Sequence, residues 1–165
     1  MITINKREFR TDKKGILRIQ ENIEANTCKT NLNPQLMFRQ SYTGRTEKIF
    51  VGNWTSNGFW ISKFRLQLFQ LRPDIITQFY IESETRYEKV TMKSSIGFSS
   101  LFIGLMWIIL FSVPFATVGQ TGFFIGVVMM LILYSFLTSI EYNRMIKAIK
   151  DNIVVGIYMT KGNLD

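Results

Sequence analysis

Apolar and polar positions divide this chain into three stretches. From Met1 to Lys93, short apolar runs alternate with charged and polar residues. From Ser94 to Ile140 no charged residue occurs in 47 positions, and the last 25 residues are mixed again. A helix that crosses about 30 Å of hydrocarbon needs about 20 mostly apolar residues, so the neutral stretch holds two. The pattern predicts one span over 96–113 and a second over 122–140, joined by PFATVGQT, where Pro114 and Gly119 interrupt helical continuity. The fold class expected is an α+β membrane protein. A small, antiparallel, β-rich domain (1–93) precedes a transmembrane helical hairpin (94–141) and a tail (142–165).

Within the first region, aromatic and β-branched runs predict strands at Ile49–Trp54, Phe59–Phe64, Ile75–Ile81 and Arg86–Met92. Asn57-Gly58 supplies the positive φ that a hairpin turn demands, and the polar ESET closes a second hairpin. The last strand runs almost directly into the first apolar helix, so the sheet should sit close to the hairpin. Alternation in FWISKF is imperfect, with Trp60 opposite Phe59, which predicts cover on both faces. Ile2–Ile4 reads as a short edge strand and Leu36–Tyr42 as another strand. Gly15–Ile23 fits a helix and a strand equally badly, and Glu24–Asn33 reads as a polar loop. Beyond Ile140, Met145, Ile146 and Ile149 alternate with Arg144, Lys147 and Lys150, as in an amphipathic stalk near headgroups. Ile153–Thr160 is strand-like; it either returns to the sheet or extends the helix.

The run Phe50-x-Gly52, Asn57-Gly58-Phe59-x-Ile61 and Pro73-x-Ile75, ahead of a strand pair and an apolar hairpin, resembles a group of uncharacterised small bacterial membrane proteins with a β-rich N-terminal domain and two transmembrane helices. The resemblance covers roughly 50–150. It implies this domain order and brings no assigned activity, cofactor or catalytic residue.

Charge sets the expected orientation. The first 93 residues carry 16 Lys or Arg against 9 Asp or Glu, and the last 25 carry 4 against 3. Arg86, Lys89 and Lys93 precede the first span; Arg144, Lys147 and Lys150 follow the second; the connecting loop is neutral. The positive-inside rule then places both termini in the cytoplasm of a multi-pass cell-membrane protein. The first 20 residues contain no apolar run of signal-peptide length. The dense basic cluster Lys6, Arg7, Arg10, Lys13, Lys14 and Arg18 reads, with Lys89, Lys93, Arg144, Lys147 and Lys150, as a set of headgroup contacts worth about 1 kcal/mol each near an anionic leaflet. Nucleic acid is not the expected partner, because the hairpin brings a nearer anionic surface.

Small residues mark candidate helix-packing faces: Gly97, Ser100 and Gly104 on the first helix, Gly122 and Gly126 on the second, where missing side chains let backbones approach. The contact is either within the hairpin or between protomers. Trp107 reads as a packing residue, Tyr142 as an interfacial one, Tyr134 as packing or lipid-facing, and Glu141 with Arg144 as an end-of-helix ion pair.

The chemical inventory is thin. Histidine is absent and Cys28 is the only cysteine, which excludes imidazole chemistry and an intrachain disulfide. No nucleotide-binding, nucleophile-elbow or zinc motif is present. Glu82, Glu84 and Glu88 read as a solvated turn. No Asp, Glu, Lys, Arg or His interrupts either span, so the residues of a proton relay are missing. No catalytic residue, metal site or cofactor is expected. The function expected is a non-enzymatic interaction or regulatory protein at the cytoplasmic membrane face, with a membrane or cytoplasmic protein partner. The alternative is a self-associating, channel-like effector whose β domain senses a ligand.

Overall fold

A computed structural model describes residues 2–30, 48–56, 58–63, 73–84 and 87–155. The strand expected at Leu36–Tyr42, together with Asn57, Phe64, Arg86 and the part of Ile153–Thr160 beyond Val155, lies outside them.

The elements run β1 (Ile2–Thr11), α1 (Lys13–Asn26), β2 (Thr27–Lys29), β3 (Phe50–Thr55), β4 (Gly58–Lys63), β5 (Ile75–Ser83), β6 (Glu88–Ile96), α2 (Phe98–Ser112), a 3-10 segment (Val113–Val118) and α3 (Gln120–Asn152). The strands form one six-stranded sheet in the order β1-β6-β5-β4-β3-β2. The α+β arrangement holds. The sheet, however, is mixed rather than antiparallel throughout, because β2 pairs with β3 in parallel. The expected hairpins are β3–β4 and β5–β6. Thr55 pairs with Gly58 across the first turn, and Gly58 has φ +148°, a conformation that L side chains rarely adopt.

Two readings at the N-terminus are corrected. β1 is ten residues long and forms the edge beside β6 along its whole length, from Ile2 opposite Ile96 to Thr11 opposite Glu88. The ambiguous segment after it is helix α1. Asp12 caps it, its Oδ1 accepting from the Gly15 amide at 2.7 Å, which satisfies one of the orphan donors of a first helical turn. Ile16, Ile19 and Ile23 then fall on one buried stripe, while Leu17 alone looks outward. The polar stretch expected as a loop continues α1 to Asn26 and then forms β2.

The sheet core draws on both ends of the chain. Phe9, Phe50, Phe59, Ile61, Ile75, Phe79, Val90 and Met92 form its sheet side, with Phe59 stacked on Phe79 at 4.3 Å between centroids. Facing them are the α1 isoleucines and the end of α3: Met145, Ile146, Ile149, Ile153 and Val154. This corrects the reading of the tail as a stalk among headgroups: its apolar stripe is buried in the core. Tyr142 is likewise buried rather than interfacial, and its hydroxyl accepts from Asn5 at 2.8 Å. Asn22 and Asn26 of α1 hold the end of α3 by donating to the carbonyls of Ile153 (2.8 Å) and Asn152 (3.2 Å). On the other sheet face Val51, Trp60 and Ile76 form a second buried cluster, so Trp60 and Phe59 are both buried, on opposite sides.

Two helices are long and apolar enough to cross a membrane. α2 with its 3-10 extension runs ~34 Å. α3 covers ~31 Å from Gln120 to Ile140, then continues unbroken into the sheet core. The expected connector is mostly the 3-10 segment, and only Gly119, at φ +92°, reverses the chain.

Candidate functional site

The feature that distinguishes this molecule is the junction where the sheet meets the hairpin. β5 and β6 meet there through Ile75 opposite Ile96. Gly97 then takes an extended conformation and α2 begins at Phe98. The Gly97 amide donates to the Asp74 carbonyl at 3.4 Å. Ser100 Oγ accepts from the Asp74 amide at 3.0 Å and donates to the Asp74 carboxylate at 3.4 Å. From the second helix, the Tyr134 hydroxyl donates to the Ser100 carbonyl at 3.1 Å. A chain of hydrogen bonds therefore runs from the start of β5 through α2 to α3.

Glu141 directly follows the apolar stretch of α3, which ends at Ile140. It is 1% exposed, while Arg144, which donates to its Oε1 at 3.1 Å, is half exposed. The ion pair expected there thus joins a sealed carboxylate to a surface cation. Glu141 shares a recess with Ser62, Lys63, Asp74, Ile75 and Met145. Lys63 belongs at this level because Ser62 pairs with Ile76, which puts the next residue beside Ile75 and Ile96.

The small residues lie inside the hairpin. Gly104 faces the ring of Tyr134. Gly126 lies against the ring of Phe115, and Gly122 against the Phe115 carbonyl, where a Cβ would collide. Ser100 serves the bond network above, and Gly97 is the N-cap of α2. Trp107 stacks on Phe111 at 5.1 Å. Outward from these contacts the hairpin shows apolar side chains, among them Phe102, Met106, Leu110, Phe124, Val128, Ile132 and Phe136.

The basic residues do not form one patch. Lys6, Arg10, Lys89 and Lys93 project from strands β1 and β6, and the first three are paired with carboxylates: Lys6 to Glu8 at 2.7 Å, Lys89 to Glu8 at 3.1 Å and Glu82 at 4.0 Å, Arg10 to Glu84 at 3.2 Å. The hydrogen bond from Lys6, then that from Lys89, hold the Glu8 carboxyl below its ordinary range, and Glu8 raises Lys6 in turn. Arg7 is half-buried on β1. Lys13 and Lys14 open α1 after Thr11, at the end of the sheet away from α2: Thr11 pairs with Glu88, ~26 Å along β6 from Ile96. Arg144 and Lys147 are exposed on α3, and Lys150 is half-buried. Glu84 pairs with Arg10, Glu88 accepts from Ser83 at 2.9 Å, and no group of metal-ligating side chains occurs among the described residues.

Sequence reasoning missed Asp74, Lys63 and the role of Tyr134. Their partners lie 26 to 34 positions away or more, and no local pattern encodes such pairings. The chain matches no known protein-family model, no curated protein and no solved structure.

Proposed function

We propose that this is a membrane-anchored interaction or regulatory protein, without catalysis of its own, whose sheet is held at the cytoplasmic face by the helical hairpin. The observation that carries the reading is the division of α3. Over Gln120–Ile140 its large apolar side chains point outward; over Glu141–Asn152 they are buried against the sheet. A core helix of a soluble domain would be buried along its apolar stretch, yet only 17% and 6% of the two apolar windows are. Water does not tolerate an apolar surface of that extent, whereas lipid does. Because one helix belongs to both parts, whatever binds the sheet is coupled to the orientation of the hairpin. The tether raises the local concentration of the sheet at the membrane, which strengthens weak contacts without new ones.

The channel-like alternative finds less support. It needs small-residue faces open to a second copy, and Gly104, Gly122 and Gly126 are taken up by Tyr134 and Phe115 of the same chain.

The test has two steps. Membranes from expressing cells are washed with alkaline carbonate; the protein should stay in the pellet, and its release would remove the anchored reading. Photo-crosslinking residues placed at Gln78 and the exposed Glu82 on the sheet, and separately at Leu110 on the hairpin, should then capture discrete protein adducts from the sheet positions. Adducts only to a second copy through Leu110 would favour the oligomeric alternative.

A further inference from the structure

We propose that a collar of four cations at the hairpin end of the sheet, Lys63, Lys93, Arg144 and Lys147, binds the headgroups of anionic phospholipids. The proposal rests on the membrane-anchored reading above and adds a lipid class and a site to it.

The four cations lie at similar heights, near the end of the apolar hairpin. Lys93 lies three residues before Ile96, ~10 Å along the strand, and Lys63 is level with Ile96 through the register of β4 on β5. Arg144 and Lys147 follow Ile140 by four and seven residues, ~6 and ~10 Å along α3. All four therefore lie within about one Debye length of the end of the apolar hairpin, where a charge feels the lipid surface. Two of them lie on strands and two on α3, so the cations approach the exit of the hairpin from different elements.

Among the described residues Lys63, Lys93 and Lys147 stand in no ion pair, whereas Lys6, Arg10 and Lys89 do. Across the β1–β6 ladder Lys93 stands opposite Lys6, cation facing cation, an arrangement that costs stability when nothing intervenes. Lys6 is answered by Glu8, and a phosphate beside Lys93 would relieve what remains. The two carboxylates at this level do not cancel the collar. Glu141 is sealed from solvent against Arg144, whose guanidinium is half exposed with further donors, and Asp74 is engaged by Ser100. By contrast Arg10 and Lys89 are paired on the sheet, and with Lys13 and Lys14 they lie at its far end.

The full-length chain is reconstituted in phosphatidylcholine containing a minority of phosphatidylglycerol, then extracted into polymer-bounded discs, and the two lipids retained with it are quantified. The wild type should retain phosphatidylglycerol above its bulk share. The triple variant Lys63→Gln, Lys93→Gln, Lys147→Gln should lose that enrichment, each charge lowering it by up to roughly fivefold. The corresponding Lys→Arg triple should keep it, which separates loss of charge from loss of fold. Lys13→Gln with Lys14→Gln should leave it unchanged. Retained enrichment in the Gln triple, lost enrichment in the Arg triple, or an equal loss in the Lys13/Lys14 variant would overturn the collar. Failure of the anchored reading is distinguishable, because that is read earlier, as release of the wild type by the carbonate wash.

Discussion

Gly104 of α2 lies against the ring of Tyr134 of α3, so closely that a Cβ at Gly104 would sit 2.5 Å from Tyr134 Cε2. The same tyrosine donates its hydroxyl to the Ser100 carbonyl one turn earlier on α2. The glycine admits the ring, and the hydroxyl is satisfied by a backbone oxygen of the facing helix. Gly104→Val should therefore part the two helices near this point and cost about 1–3 kcal/mol, as overpacking does. Cysteine pairs placed across α2 and α3 should cross-link in lower yield. An undiminished yield would mean the ring moves aside freely. Tyr134→Phe keeps the shape and should cost less, about 0.5–1.5 kcal/mol.

Ile149 is fully buried between α3 and the sheet. Ile149→Ala should lower sheet stability by about 2–5 kcal/mol, read from the fluorescence of Trp54 and Trp60 during denaturation. Leu110→Ala, at a 60% exposed position on α2, should leave that transition nearly in place. A fragment ending at Ile96 lacks Met145, Ile146, Ile149 and Ile153 and should fail to give a cooperative transition. A fragment that unfolds like the whole chain would refute the shared core.

Gly58 closes the β3–β4 turn at φ +148°, and a Cβ there would strike the Phe79 carbonyl of the neighbouring strand. Gly58→Ala meets backbone strain and a steric clash together, so it should cost at least the ~1–3 kcal/mol of a strained φ alone. The check is the denaturation midpoint. An Ala variant as stable as wild type would show that the turn can take another shape.

Glu8 should titrate below the ordinary carboxylate value of 4.5, because Lys6 and Lys89 both bond its charged form. A depressed folded-state pKa stabilises the fold above the unfolded value, and that contribution disappears as pH falls through the folded one. Lys6 is the mirror case. Its raised pKa contributes fully below 10.5 and is lost as pH rises through the shifted value. The pair is exposed, so the stability effect is small; a carboxyl carbon titration by NMR is the sensitive reading. Lys6→Gln should move the Glu8 midpoint upward, and no movement would mean the 2.7 Å contact does not persist in solution.

Asp12→Ala removes the cap of α1 and should cost about 1 kcal/mol. Asp12→Asn, which keeps an acceptor oxygen, should recover most of it. Equal losses in the two variants would assign the effect to charge rather than to the Gly15 hydrogen bond.

Features that depend only on neighbours along the chain were legible in the sequence. Forty-seven neutral residues announce two long apolar helices whatever surrounds them, and Asn57-Gly58 between aromatic runs announces a hairpin. Even where the local signal was ambiguous it was present. Asp12 ahead of Ile16, Ile19 and Ile23 is a cap followed by a helical stripe, obscured by the exposed Leu17. Tertiary structure alone decided where the stripe of Met145, Ile146 and Ile149 would be buried. An amphipathic helix is equally content against headgroups or against a sheet, and only the presence of α1 and the sheet at the right distance chose between them. It also decided the parallel pairing of β2 with β3 and the meeting of Asp74, Ser100 and Tyr134. Those contacts join residues far apart in the chain. Their free energy becomes available only after the intervening loops have closed, so no window of sequence carries it.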